Sequence, residues 1–186
     1  EGLWTPAAKP DWAGCESSCN ACGQVCPTGA IRALPLEEKR VVRMGLAIVN
    51  LETCLPYAQR EACQLCVDDC QAAGYNAIEF TRVGVVADPA TGEPLDGTGF
   101  LAPVVLADKC VGCGLCQTRC YGVNAADKKL LSASAIVVIG GEGNEDRLRS
   151  GSYLALRADE RAERGRLQKD REQKQGGSDY LPDFLK

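Results

Sequence analysis

The chain of 186 residues contains no histidine. That absence removes the usual general base, the Ser-His and Cys-His nucleophile pairs and every mixed Cys/His zinc site, so hydrolytic chemistry is not expected. Aromatic residues are scarce: three Phe, five Tyr and two Trp leave little bulky apolar material, and something besides side chains is expected to fill the interior. No run approaches the roughly 18 apolar residues of a membrane span and no charged-apolar-small leader opens the chain, so no direct span is expected. The start at Glu1, without a methionine, reads as a processed or excised part of something longer. A basic stripe is also missing. Residues 1–146 carry 11 basic and 18 acidic side chains, a balance of −7, which argues against a nucleic-acid partner. Residues 147–186 carry 10 and 7, a balance of +3, and are chemically a different segment.

Cysteine is what the chain has in abundance. Its 12 cysteines fall into three groups of four: Cys15, Cys19, Cys22 and Cys26; Cys54, Cys63, Cys66 and Cys70; Cys110, Cys113, Cys116 and Cys120. Each group ends in CxxCxxxC, and similar residues follow: Pro27, Gly29, Ala30 and Ile31; Gly74, Ala77 and Ile78; and, after a longer insertion, Ala135 and Ile136. This is an internal repeat. Leu46-Ala47-Ile48-Val49 runs into Cys54 and Val104-Val105-Leu106 into Cys110, each reading as a short strand that delivers the chain to a ligand loop. Glu61–Cys70 and Leu115–Cys120 suit short helices, and Leu36–Arg40 suits either one helical turn or an exposed crossing. Pro89, Gly92, Pro94, Gly97 and Gly99 mark residues 79–99 as a long hairpin link.

The spacing selects among cysteine chemistries. Disulfides need Cα atoms about 4.4–6.8 Å apart, and cysteines three apart in tight loops pair poorly. Zinc ribbons use two CxxC pairs separated by a dozen or more residues, not four cysteines in one short run. Cys15-x3-Cys19-x2-Cys22 is also a radical-SAM spacing, but Cys26-Pro27, the repetition downstream and the missing length for a barrel argue against it. CxxCxxCxxxC, often followed by Pro, is the bacterial ferredoxin run, whose fourth cysteine serves the other cluster of a pair. Cys110–Cys120 has that spacing with Tyr121 in place of the proline; Cys15–Cys26 has one extra residue and keeps the proline; Cys54–Cys70 carries a looped-out insertion. Gly23, Gly112 and Gly114 beside the ligands are expected to let the backbone approach the sulfides without a Cβ.

Taken together, residues 2–136 resemble the multi-cluster ferredoxins that accompany periplasmic nitrate reductase and methylamine utilisation, on the Cys15–Ile31 run, the Cys54–Cys70 group and Lys109-Cys110-Val111-Gly112-Cys113-Gly114-Leu115-Cys116. Members of that family typically carry four cysteine groups. This chain resembles the last three, with Gly2-Leu3-Trp4-Thr5-Pro6 like the stretch that follows the first. The resemblance implies electron transfer between a membrane quinol-oxidising partner and a downstream reductase, with no substrate chemistry of the chain's own.

The expected fold class is α+β: ferredoxin-like 4Fe-4S repeats with short strands and helices, plus a C-terminal extended helix. The expected organisation is an extended N-terminal arm over 1–12, a two-cluster ferredoxin-like module over 13–82, a third cluster unit with a long hairpin link over 83–146, and a helical tail with an apolar anchor over 147–186. The tail helix is expected over Tyr153–Gln175, capped by Ser-Gly-Ser and stopped by Gly176-Gly177, with Tyr180–Leu185 as the anchor. Three [4Fe-4S] clusters are expected. The link from Cys26 to Cys54 has 27 residues and that from Cys70 to Cys110 has 39, which favours exchange between the first two groups. Cys15, Cys19 and Cys22 then share a cluster with Cys70, and Cys54, Cys63 and Cys66 share one with Cys26. Cys110, Cys113 and Cys116 take Cys120 if the group stands alone; with an upstream group, Cys120 reaches toward that group's cluster. Partners are expected to be redox proteins, a membrane-associated quinol-oxidising or reductase complex among them, on the cytoplasmic or periplasmic face of a membrane with the cytoplasm as default. The rival reading is a structural or assembly subunit stapled by its clusters.

Overall fold

The structure, a computed structural model, describes residues 9–176. The start of the expected arm and the Tyr180–Leu185 patch lie outside the described residues. Two units form, Glu1–Arg147 and Leu148–Lys186.

The first unit is built on short apolar runs rich in Val and Ile, which suit extended backbone. They give β1 (Leu46–Val49), β2 (Ile78–Val83), β3 (Phe100–Val105) and β4 (Ile136–Ile139). Helix α3 (Leu65–Ala72) lies between β1 and β2, and α4 (Leu115–Cys120) between β3 and β4, so the order strand-helix-strand occurs twice. The two copies interlock. β1 pairs antiparallel with β4, from Leu46 opposite Ile139 to Val49 opposite Ile136. β2 pairs antiparallel with β3, from Ile78 opposite Val105 to Val83 opposite Phe100. Each two-stranded sheet therefore takes one strand from each copy, and neither copy has a sheet of its own. The β2–β3 link is a hairpin whose arms touch again at Ala87 and Pro94.

Upstream, residues 9–45 contain α1 (Ala21–Val25) and the single turn α2 (Leu36–Lys39) but no strand. Leu36–Arg40 is thus a helical turn. Its Lys39 is buried, and Nζ donates to the Glu16 carbonyl in the loop of the first cysteine group. Helix α3 begins at Leu65 rather than at Glu61, since Gln64 has φ −129° and the segment that carries Cys63 stays outside the helix. After α4 the chain continues as a π-helical segment, Tyr121–Asp127, whose wider turn is closed by Lys128 N–H donating to the Val123 carbonyl at 2.8 Å.

The core explains the shortage of aromatics. Its buried members are Ala47, Val67, Ala77, Ile78, Ala135 and Ile136 together with Cys54, Cys66, Cys70, Cys110, Cys116 and Cys120. Small residues and thiols line the centre instead of large rings. The second unit holds α5 (Tyr153–Gly176), 24 residues and mostly exposed. Tyr153 and Arg157 are its buried side chains; Leu154 and Leu167 stand in solvent. Among the described residues no helix is long and apolar enough to cross a membrane.

Candidate metal centre

Two apolar chambers lie in the core of the first unit. The first is lined by Cys54, Cys63, Cys66 and Cys120, with Leu55, Leu65 and Ile136 in its apolar wall. The second is lined by Cys70, Cys110, Cys113 and Cys116, with Ala47, Ile78 and Val138. Three cysteines of one group and the fourth of another meet in each chamber. The structure thus places Cys70 with Cys110, Cys113 and Cys116, and Cys120 with Cys54, Cys63 and Cys66, a grouping unlike the expected one of Cys70 with Cys15, Cys19 and Cys22 and of Cys26 with Cys54, Cys63 and Cys66. The cause is the interlocked strands. β2 leaves α3 and pairs with β3, which leads to Cys110, while β4 leaves the third group and pairs with β1, which leads to Cys54. Cys15, Cys19, Cys22 and Cys26 line neither chamber; Cys19 and Cys22 are exposed, Cys15 and Cys26 half-buried.

The repeat after each group has a use. A backbone amide from its Ala-Ile pair donates to the sulfur of the fourth cysteine: Ile31 to Cys26 Sγ at 3.4 Å, Ala77 to Cys70 Sγ at 3.2 Å, Ala135 to Cys120 Sγ at 3.4 Å. Such donors favour thiolate over thiol. At Cys26, outside the core, the Ile31 amide and then the Thr28 hydroxyl bring the thiol down to about 7. In the chambers desolvation dominates: burial pushes Cys54 and Cys113 up to about 11 and Cys66 to about 12, and Cys70 and Cys116 rise for the same reason. Thiols this reluctant to ionise alone are stabilised as thiolates by a bound cation, with release of their protons.

Three side chains the sequence did not single out complete the site. Asn124, buried on the π-helical segment, turns Nδ2 toward Cys63 Sγ at 3.7 Å and Cys120 Sγ at 3.8 Å. Tyr75 lines the second chamber, with Cys113 and Cys15 near enough for their charge to bear on it; its hydroxyl is buried without a partner among the described residues. Buried Gln117 accepts from Val138 N–H at 2.7 Å and donates to Asp11 at 2.6 Å. The insertion between Cys120 and Ala135 was the available signal for Asn124; nothing local marked the other two.

The glycines beside the cysteines sit where one stretch of chain closely approaches another. A Cβ on Gly23 would stand 2.5 Å from the Arg32 carbonyl oxygen, one on Gly112 2.5 Å from Gly45 N, and one on Gly114 2.9 Å from Pro10 Cγ. They let chain approach chain, and Gly112 and Gly114 also supply φ of +67° and +79°.

A four-thiol ring around an apolar chamber, with amides on the sulfurs and an orphaned hydroxyl in the wall, fits a polynuclear iron–sulfur group. Among the described residues no three Cys, Asp or Glu side chains converge as one ion requires. Comparison with known proteins points the same way. The chain is 32% identical over 132 residues to the methylamine utilization ferredoxin-type protein MauM of Methylophilus methylotrophus, spanning 67% of this chain and 52% of the relative. It is 29% identical over 140 residues to the ferredoxin-type protein NapG of Haemophilus influenzae, 72% of this chain and 46% of the relative. The NapG of Escherichia coli is 34% identical over 114 residues, 59% and 43%. Its relatives are ferredoxin-type proteins. They match the resemblance carried by the cysteine runs, and the chain spans about half the length of these curated relatives. No family model matches the chain, and no solved structure matches it.

Proposed function

We propose that the chain is an electron-carrying polyferredoxin segment that holds three [4Fe-4S] clusters and has no substrate chemistry of its own. The observation that carries the reading is the pair of four-cysteine chambers with exchanged fourth cysteines, the ligand habit of two-cluster ferredoxins. Cys54, Cys63, Cys66 and Cys120 would hold one cluster, and Cys70, Cys110, Cys113 and Cys116 a second. The four cysteines left over, Cys15, Cys19, Cys22 and Cys26, would hold the third. The two-cluster ferredoxin-like module is then residues 46–139, with residues 9–45 as the single-cluster unit, in place of the division at residue 82. When bound, each cluster takes up and releases one electron through its irons.

The chain's own residues supply the rest. Thiolates fix the irons; the amides of Ile31, Ala77 and Ala135 and the Asn124 side chain donate to sulfur and offset negative charge, which raises the potential. Apolar walls keep water from the two buried sites, while the exposed first group is open to a partner. Donor and acceptor are protein redox partners, a membrane-associated quinol-oxidising or reductase complex among them, met at the cytoplasmic or periplasmic face of a membrane. Metal and acid-labile sulfide analysis of anaerobically purified protein, with low-temperature electron paramagnetic resonance (EPR) during reductive titration, tests the reading. Reversible reduction of every cluster is expected; clusters that resist reduction would favour a structural staple.

A further inference from the structure

The approach to the first cysteine group packs along the third. Residues 10–15 run along the chain from Cys113 to Tyr121, contact by contact. The Thr118 hydroxyl donates to the Pro10 carbonyl at 2.5 Å, and Gln117 Nε2 donates to Asp11 at 2.6 Å. The Trp12 ring meets Tyr121 edge-on with centroids 5.2 Å apart. Gly14 lies so close to α4 that a Cβ there would stand 2.6 Å from Leu115 N. The seam ends with the backbone N–H of Cys15 donating to the carbonyl of Cys113 at 2.6 Å. Two residues whose sulfurs belong to different cysteine sets are thus joined by one hydrogen bond, with Tyr75 in the wall of the Cys113 chamber. On its other side, the Cys113 chamber adjoins the remaining one. α3, which carries Cys66 and Cys70, and α4, which carries Cys116 and Cys120, pack together.

Resting on the function proposed above, we infer that the spatial order of the three cysteine sets is first, third, second, and that the Cys15 N–H to Cys113 carbonyl bond is the junction through which the exposed first set exchanges electrons with the buried pair. The set around Cys70, Cys110, Cys113 and Cys116 is the obligatory middle station, although its group is last in sequence. An electron crossing the junction leaves one side oxidised by one electron and the other reduced by one. No bond is made or broken, no proton moves, and the outer donor and acceptor are one-electron redox proteins. Tyr121, where ferredoxin runs often carry proline, acquires a role as the ring that Trp12 meets.

The test is EPR of the fully reduced 186-residue protein, where neighbouring paramagnetic clusters split and broaden one another's signals. Cys54→Ala, which disables a terminal set, is expected to keep the coupling between the first-group signal and its neighbour. Cys110→Ala, which disables the middle set, is expected to abolish it. The reverse pattern overturns the inference. Gly14→Val, which forces the seam apart without touching a ligand, is expected to keep the iron content while the first-group signal loses its splitting; unchanged splitting overturns the junction. Should Gly14→Val fail to fold, Thr118→Val, which removes the hydroxyl's bonds to the Pro10 and Gly114 carbonyls without replacing a cysteine, is expected to narrow the same splitting, and no change there counts against the seam. Protein that binds no iron overturns the proposed function itself, whereas protein with full iron and the wrong coupling pattern overturns this inference alone.

Discussion

Replacing Cys120 by Ala separates the exchanged ligand sets from the local ones. Cys120 is 7% exposed and faces Cys54, Cys63 and Cys66, so its loss should strike the second group's cluster and spare the one held by its own run. Two donors lose their acceptor. The Ala135 amide, 3.4 Å from Cys120 Sγ, belongs to a residue 3% exposed, and Asn124 Nδ2 keeps only Cys63. Leaving a buried donor unsatisfied costs about 1–3 kcal/mol, and removing a structural metal ligand adds to that. The expected readout is a fall of up to about four irons from about twelve, with one EPR signal lost. Iron content and spectra are the right assay, because a cofactor-bearing protein does not unfold in two states. The decisive comparison is a cycle: Cys120→Ala combined with Cys54→Ala should lose no more iron than either alone, whereas Cys120→Ala combined with Cys113→Ala should lose two clusters. The reasoning is refuted if Cys120→Ala and Cys113→Ala delete the same signal.

Anaerobic protein should contain about twelve iron and twelve acid-labile sulfide with negligible zinc by elemental analysis; near-stoichiometric zinc would sink the cluster assignment. Gly112→Ala sets a Cβ 2.5 Å from Gly45 N at φ +67°, whereas Gly92→Ala, at φ +72°, meets nothing within 4 Å. Both carry backbone strain of about 1–3 kcal/mol, so thermal denaturation should place Gly112→Ala clearly below Gly92→Ala, and equal melting would contradict the close approach. Tyr75→Phe removes a buried hydroxyl that has no partner among the described residues, and should shift one cluster's midpoint potential in a spectroelectrochemical titration while iron content stays unchanged. Deleting residues 157–186, most of a helix whose apolar side chains are few, should leave iron content and thermal stability nearly intact while weakening complex formation; loss of clusters would show that the tail completes the core instead.

Much of this protein is local and therefore readable in order along the chain. A cluster needs thiols at fixed short separations, so three CxxCxxxC runs name nine of the twelve cysteines, and the cysteine ahead of each run completes its group, before any folding is considered. Short runs of β-branched residues, the Gly/Pro-rich hairpin link and the Ser-Gly-Ser start of α5 are likewise properties of a few neighbouring residues. Even the Ala-Ile pairs after each group were visible, though their task of placing an amide on the fourth sulfur was not.

Which cysteines stand together was decided by tertiary structure. Links of 27 and 39 residues looked like a reason to pair the first two groups. The loop-closure difference between those lengths is only about 0.3 kcal/mol, and burying a single side chain such as Ile78, 2% exposed, contributes about 1.5–3 kcal/mol. Strand pairing overrides link length several times over. The pertinent sequence signal was elsewhere: the second and third groups have strands on both sides, and residues 9–45 have none. Only strands from two copies can interlock, so Cys70 and Cys120 each come to stand among the other group's cysteines, and the first group is left to dock through glycine and backbone against Cys113. A hydrogen bond such as that from Cys15 N–H to the Cys113 carbonyl joins residues far apart in sequence. It exists only once the sheets have brought the third group's loop to the surface that residues 10–15 cover.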